Sequence, residues 1–234
     1  MGGDREIKAI SLLSGGIDSS VATAIAKSKG YEIYAITFRY DQRHIKELDS
    51  AKKLARFFKA KEHQIVDLDL GKFGGSALTS EIDVPEGKTV EEIKAGDIPI
   101  TYVPARNTIF LSYALAYAEV KDADFIFIGA NYIDYSGYPD CRPEYLKKFQ
   151  EMANLALKRA VEGNPIKIEY PLIEMTKAEI IKKGMELRVP FELTWSCYKG
   201  GERACGKCDS CVLRINGFRE LGYNDPIEYE NKNK

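Results

Sequence analysis

Two kinds of apolar spacing alternate along the chain. Short continuous or alternating runs, "IKAISLL" (7–13), "YEIYAITF" (31–38), "HQIVDLDL" (63–70), "DFIFIGA" (124–130) and "IKIEYPL" (166–172), predict buried strands. Between them lie stretches with helical spacing: about Ser19–Lys29, "IKELDSAKKLARFFKA" (45–60), "NTIFLSYALAYAEV" (107–120) and one long helix over "PEYLKKFQEMANLALKRAV" (143–161), with Pro143 placed to start it. "TKAEIIKKGMEL" (176–187) opens with a capping box, Thr176 followed three residues later by Glu179. A closing helix is expected near Ser210–Leu221. This alternation implies right-handed crossovers and a mostly parallel, doubly wound α/β sheet covered on both faces. Ligands of such sheets bind beyond the carboxyl ends of the strands. The loops Ser14–Ser20, Thr37–His44, Asn131–Arg142 and Pro171–Lys177 are therefore expected on one rim.

Two segments break the pattern. Residues 71–104 mix Gly, Pro and charge with little periodicity and are expected to form a lid or mobile loop. After Glu192 the chain turns rich in Cys and Gly. The expected organisation is an α/β domain over 1–190 with a small module over 191–234 packed on it.

The 34 basic against 35 acidic residues give a net charge of -1, which counts against a protein gripping nucleic acid through a broad basic surface. "TIFLSYALAYA", the longest apolar stretch, is too short to span a bilayer, and "MGGDREIKAI" holds no apolar leader segment. A cytoplasmic protein is expected. Thiols stay reduced there, so the five cysteines call for a metal or reactive role rather than bridges.

Chemistry concentrates first in "SGGIDSS" (14–20), between a strand and a helix. Gly15 and Gly16 can take positive φ and admit a ligand close to the backbone. Ser14, Ser19 and Ser20 add hydroxyls, and the following helix start favours an anion. Asp18 would repel phosphate unless Mg²⁺ intervenes. A plain Gly-Gly turn that caps a helix is the competing reading. The second concentration is Cys197, Cys205, Cys208 and Cys211, spaced C-x7-C-x2-C-x2-C. Four close thiolates suit tetrahedral Zn²⁺ and leave no position for an activated water, so the site is structural; an iron–sulfur cluster is the alternative. Cys141, flanked by Asp140 and Arg142, is read as a passive thiol rather than a nucleophile.

"SGGIDSS" resembles the S-G-G-x-D-[ST]-[ST] turn of the PP-loop ATP pyrophosphatases, also called adenine nucleotide alpha-hydrolase-like proteins, in which it cradles the β,γ-pyrophosphate of ATP. Lys177 in "TKAEI" matches a lysine at the start of a late helix that also contacts phosphate in those enzymes. Alone it would pass for a surface lysine. "SGYPDCRPEY", "VPARNTIFLSYALAYAE", "YPLIEMTKAEII" and "TWSCYKGG", followed by the cysteines, narrow the resemblance to the 7-cyano-7-deazaguanine synthase family, from Ser11 to near Leu221. That resemblance implies an ATP-dependent C–N ligase. It converts 7-carboxy-7-deazaguanine and ammonia to the nitrile by adenylating first the carboxylate and then the amide, for queuosine or archaeosine precursors. It further implies ATP, Mg²⁺ and Zn²⁺, small-molecule substrates without direct nucleic-acid contact, and a homodimer. The phosphate and catalytic roles fall to Ser14, Gly15, Gly16, Asp18, Ser19, Ser20, Lys177, Arg106 and Asn107. Asp134, Ser136, Tyr138, Asp140 and Arg142 are candidates for the deazaguanine; which Asp reads its N–H edge stays open.

One block departs from the family: in "FRYDQRH" (38–44), Arg39 and Asp41 replace an acidic or amide residue and a glycine. His44 either assists proton removal from ammonium or simply packs at a helix start, the second being the commoner role. Two rival functions are a PP-loop tRNA-modifying enzyme, which balanced charge and short length oppose, and a nucleotide-sensing regulator. The regulator's cysteine module would bind DNA through Lys199, Arg203, Lys207 and Arg214.

Overall fold

The computed structural model describes residues 5–40, 46–95, 97–133 and 137–230. Five parallel strands form one sheet: β1 (Lys8–Leu12), β2 (Glu32–Arg39), β3 (Glu62–Asp67), β4 (Phe125–Phe127) and β5 (Lys167–Glu169), in the spatial order β3-β2-β1-β4-β5. In chain order the helices are α1 (Ile17–Ser28), α2 (Lys46–Phe57), α3 (Val90–Ala95), α4 (Arg106–Lys121), α5 (Pro143–Ala156), α6 (Lys158–Val161), α7 (Lys177–Glu186) and α8 (Asp209–Glu220). Every strand run and helical stretch of the sequence analysis has its element, shifted by a few residues at the ends.

Alternation along the strands splits the core in two. Ile10, Leu12, Ile36, Phe38 and Ile126 face Leu111 and Leu115 of α4 and Leu146 and Phe149 of α5. Leu13 and Ala35 face Val21 of α1, Leu54 of α2, Ile180 and Ile181 of α7, and Phe218 of α8. Successive connections run outward from β1 on one side through β2 and β3, then cross to β4 on the other. The order reverses between β1 and β4, and the crevice at such a reversal is where open α/β sheets bind ligands. The turn 14–20 leaves β1 at that point.

Three expectations change. The long helix over 143–161 is two, because Leu157 is extended (φ -91, ψ 135) and separates α5 from α6. The segment 71–104, expected as a lid or mobile loop, has packed anchors and some regular structure. Ser76, Ala77, Leu78, Thr101 and Val103 are buried, α3 forms within it, and Gly87 N–H donates to Lys207 O at 3.1 Å. Its anchors are the short stretch 76–78 and the pair Thr101 and Val103, far apart and of mixed polarity, which carry no periodic signal. Gly16, finally, is extended (φ -81, ψ 171) as the N-cap of α1, so only Gly15 of the pair has positive φ, at 94°. Among the described residues, no helix is long and apolar enough to cross a membrane.

Candidate active site and metal centre

A cavity of about 220 Å³ opens at the β1/β4 crevice. Ser14, Gly16, Asp18 and Ser19 line it beside Arg106, Asn107, Tyr138 and Lys177, and so do Tyr40, Glu47, Cys141, Trp195, Tyr198 and Arg214.

The turn is shaped before any ligand arrives. Ser14 Oγ and Ser19 Oγ lie 3.0 Å apart, Ser14 N–H donates to Ser19 Oγ at 3.2 Å, and Ser20 Oγ donates to Gly16 O at 2.6 Å. The N-cap of α1, Gly16, makes no side-chain capping bond, so among the described residues the first-turn N–H groups are available to an anion. Gly15 faces away from the cavity. A Cβ there would lie 2.4 Å from Glu47 O, so its role is to seat the turn against α2. Ser20 is likewise turned from the cavity into its bond with Gly16. Gly129, just past β4, was not singled out in the sequence. A Cβ on it would lie 2.6 Å from the Ser19 N and 2.7 Å from the Asp18 carbonyl carbon, so a bare backbone is needed for β4 to pass under the start of α1. The glycine ending the apolar run "FIFIG" was its only sequence signal.

Lys177 is brought in by α7, whose start is held by the expected capping box: Thr176 Oγ1 accepts from Glu179 N–H and Glu179 Oε2 accepts from Thr176 N–H. Its ammonium donates to both Asp18 oxygens at 2.6 and 2.8 Å. Arg106 begins α4 from the opposite wall. Burial works against its charge, but Tyr40, Tyr138, Asp140 and Cys141 around it hold its proton more firmly than usual.

The deazaguanine candidates separate. Tyr138 lines the cavity, and its hydroxyl shares a 2.9 Å hydrogen bond with Thr101. Asp140 is instead buried behind it. Its Oδ2 accepts from Asn107 N–H at 2.9 Å and its carbonyl from Asn107 Nδ2 at 3.2 Å, so it holds the start of α4 rather than reaching the cavity. Arg142 is exposed and donates to Pro139 O at 3.2 Å, also outside the lining. Asp134, Ser136 and His44 lie outside the described residues. Arg39, at the departing block, donates twice to Asp67, at 2.6 and 2.7 Å, and braces β2 against β3.

Burial sets the protonation of the remaining cavity groups. It pushes the Cys141 thiol up to about 12, which disfavours a thiolate nucleophile there, and raises both Tyr40 and Tyr138 above the usual phenol range. Glu47, absent from the sequence candidates because a glutamate in a helix's first turn is ordinary, is pushed up by burial to about 7, against the opposing pull of Arg106.

Cys197, Cys205, Cys208 and Cys211 are all buried and free of disulfides, with their sulfurs within 4.8 Å of one another. Cys205 and Cys211 Sγ are 3.9 Å apart. A tetrahedral thiolate site with metal–sulfur distances of about 2.3 Å has edges of about 3.8 Å. Backbone N–H groups of Lys199 and Cys205 point at Cys197 Sγ, and those of Lys207 and Cys208 at Cys205 Sγ, at 3.3 to 3.4 Å. Such donors suit sulfurs carrying negative charge, and the cluster can hold a metal ion. Of the four basic residues of the DNA-binding alternative, Lys207 is exposed and the other three have acidic partners. Arg214 is buried in a two-bond pair with Asp225 (2.6 and 2.9 Å), Lys199 pairs with Glu86, and Arg203 pairs with Glu228.

A family model described as "Queuosine biosynthesis protein QueC" matches residues 8–222. The chain is 56% identical over 225 residues to a 7-cyano-7-deazaguanine synthase of Desulfatibacillum aliphaticivorans, covering 95% of this chain and 96% of that one. It is 58% identical over 222 residues to one of Trichodesmium erythraeum, covering 94% and 100%. Among solved structures, NMN synthetase from Francisella tularensis matches with a TM-score of 0.50 at 16% identity, over 94% of this chain and 79% of that one. A 4-thiouridine synthetase, in an RNA complex with bound ATP, matches with a TM-score of 0.50 at 20% identity, over 95% and 47%. These two likenesses speak for the fold alone.

Proposed function

The chain belongs to the QueC family of queuosine biosynthesis proteins, and from that membership we propose that it is an ATP-dependent 7-cyano-7-deazaguanine synthase. The observation that carries this reading is the meeting of the phosphate turn, Lys177 and Arg106 in one cavity that Tyr138, Trp195 and Tyr198 also line. A phosphate-binding half thus adjoins an aromatic half fit for a flat purine.

A carboxylate is a poor electrophile, because ammonia cannot displace oxide from it. Its oxygen attacks the α-phosphorus of ATP, the α–β bond breaks, and pyrophosphate leaves toward the first turn of α1. Ser14, Gly16, Ser19 and the open N–H groups receive it, and Lys177 exchanges Asp18 for a phosphate oxygen. Asp18 is then released to hold Mg²⁺, which would neutralise phosphate charge when bound. Ammonia displaces AMP to give the amide. A second adenylation, on the amide oxygen, followed by loss of AMP and two protons leaves the nitrile. Arg106 is suited to steady negative charge near the α-phosphate, with Asn107 fixing the turn behind it; such fixed charges act without covalent catalysis. In this reading Tyr138 stacks on the base.

Zn²⁺ at the four cysteines would supply no chemistry, since the sulfurs fill its coordination shell. Its place is structural, in a 191–234 module packed against an α/β domain over 1–190. A cytoplasmic homodimer acting on small molecules, without nucleic-acid contact, completes the reading.

The test is a mass-resolved assay with 7-carboxy-7-deazaguanine, ammonium, Mg²⁺ and ATP. Nitrile formed together with AMP and pyrophosphate is expected. AMP release without nitrile would mean another acceptor, and no ATP turnover by metal-replete protein would overturn the reading.

A further inference from the structure

The reaction proposed above, on which this inference rests, consumes nitrogen that neutral water holds as ammonium. Its lone pair is tied up in an N–H bond until a base removes the proton. Among the described residues lining the cavity, the carboxylates are Asp18 and Glu47. Asp18 is committed throughout, with both oxygens bonded to Lys177 in this structure and to Mg²⁺ in the reading above. Cys141, Tyr40 and Tyr138 hold their own protons at neutral pH, since burial raises all three. Arg106 and Arg214 are permanent cations.

Glu47 is different. It sits in the first turn of α2 on the cavity wall, anchored where its carbonyl closes on Gly15. Among the described residues, the titratable groups that act on it are Arg106 from α4, Tyr40 after β2 and the Cys197 sulfur, which acts through charge. The opposing effects of burial and Arg106 leave it near 7, where a group both accepts and returns a proton readily.

We propose that Glu47 is the proton acceptor for the nitrogen nucleophile. Its carboxylate attracts ammonium into the cavity and takes one proton. The N–H bond breaks, an O–H bond forms on Glu47, and the freed lone pair makes the C–N bond as AMP leaves. The adduct's second proton and the carboxyl proton pass to solvent, which resets Glu47.

The experiment splits the reaction at the amination step, in wild-type holoenzyme, Glu47→Gln and Glu47→Asp. Adenylation alone is read by pyrophosphate exchange into ATP, dependent on 7-carboxy-7-deazaguanine and without ammonium. Amination is read by product formation against ammonium concentration and pH. In Glu47→Gln, exchange should persist while product formation at pH 7 falls roughly 100-fold or more, the usual contribution of a positioned base. The deficit should narrow as rising pH supplies free ammonia, and Glu47→Asp should recover part of it. Equal loss of exchange and product in Glu47→Gln would overturn the proposal, and so would unchanged product formation with unchanged ammonium dependence. Wild-type protein showing no exchange would refute the functional reading itself, and this inference with it.

Discussion

The backbone N–H of Trp195 donates to the carbonyl of Gly15 at 2.9 Å. One hydrogen bond thus ties the turn 14–20 to the segment that runs, two residues later, into the first of the four clustered cysteines. Trp195 Nε1 also donates to Cys197 O at 3.2 Å, and Arg214 holds the same segment through Thr194 Oγ1 at 2.7 Å. The turn and the cysteines, distant in sequence, form one mechanical unit.

Removal of a metal ion held by the four cysteines, as proposed above, is therefore expected to reach the turn 14–20. Four buried sulfurs without a cation repel or must take up protons, and structural Zn²⁺ contributes roughly 10–16 kcal/mol in small modules. Chelation should lower the unfolding temperature and raise amide hydrogen exchange at 14–20 as well as at 195–211. Exchange that rises only at 195–211 would mean that the link through Trp195 is idle.

Asp18→Asn should cost both stability and rate. Lys177 is 8% exposed and Asp18 21%, so the ammonium that loses this carboxylate is mostly but not wholly desolvated. A stability loss of about 1–3 kcal/mol follows, between the values for exposed and buried pairs. Lys177→Met should lower pyrophosphate exchange by roughly 100-fold, the scale of one lost charge-stabilising donor. A fall much below tenfold would remove Lys177 from the phosphate site.

At Gly129, an added methyl has only backbone to press against, the Ser19 nitrogen at 2.6 Å. Gly129→Ala should destabilise by about 1–3 kcal/mol, as overpacking does. It should also weaken nucleotide binding by displacing the start of α1, which calorimetric titration would read. Normal affinity in a folded variant would show that β4 can move instead.

Ala105, which precedes α4, is left-handed (φ 54, ψ 19). That conformation costs an L-residue roughly 1–2 kcal/mol. Glycine avoids the strain and gives back about 0.4–1 kcal/mol through the unfolded chain. Ala105→Gly should therefore stabilise by up to roughly 1 kcal/mol, seen as a higher denaturant midpoint with an unchanged slope. A lower midpoint would contradict this balance.

Glu47 gives a pH dependence of definite sign. Its proton is held to about 7 in the folded protein against an ordinary value of 4.5. The folded state binds more protons between those values, so this contribution to stability falls as pH rises from 4.5 to 7. Glu47→Gln cannot ionise. Its stability relative to wild type should improve by an amount on the order of 1–3 kcal/mol between pH 5 and pH 8 in denaturant titrations. A constant difference across that range would place the Glu47 proton elsewhere.

Local spacing sufficed for the strands, the major helices, the capping box at Thr176 and the four-cysteine cluster. In each case the information lies within a few residues: a period, a cap, a set of close thiols. "SGGIDSS" marked the crevice for the same reason. What neighbours in space alone could decide is which side chains reach the cavity. Asp140 bonds Asn107 at the start of α4, and Arg214 looked like a surface cation until Asp225 and Thr194 enclosed it. Glu47 and Gly129 carried no distinguishing local pattern. The acidity of Glu47 depends on burial beside an arginine 59 positions away, and the need for glycine at 129 depends on a helix start more than a hundred residues earlier. Such properties belong to packing, because desolvation and steric exclusion exist only once distant segments have met.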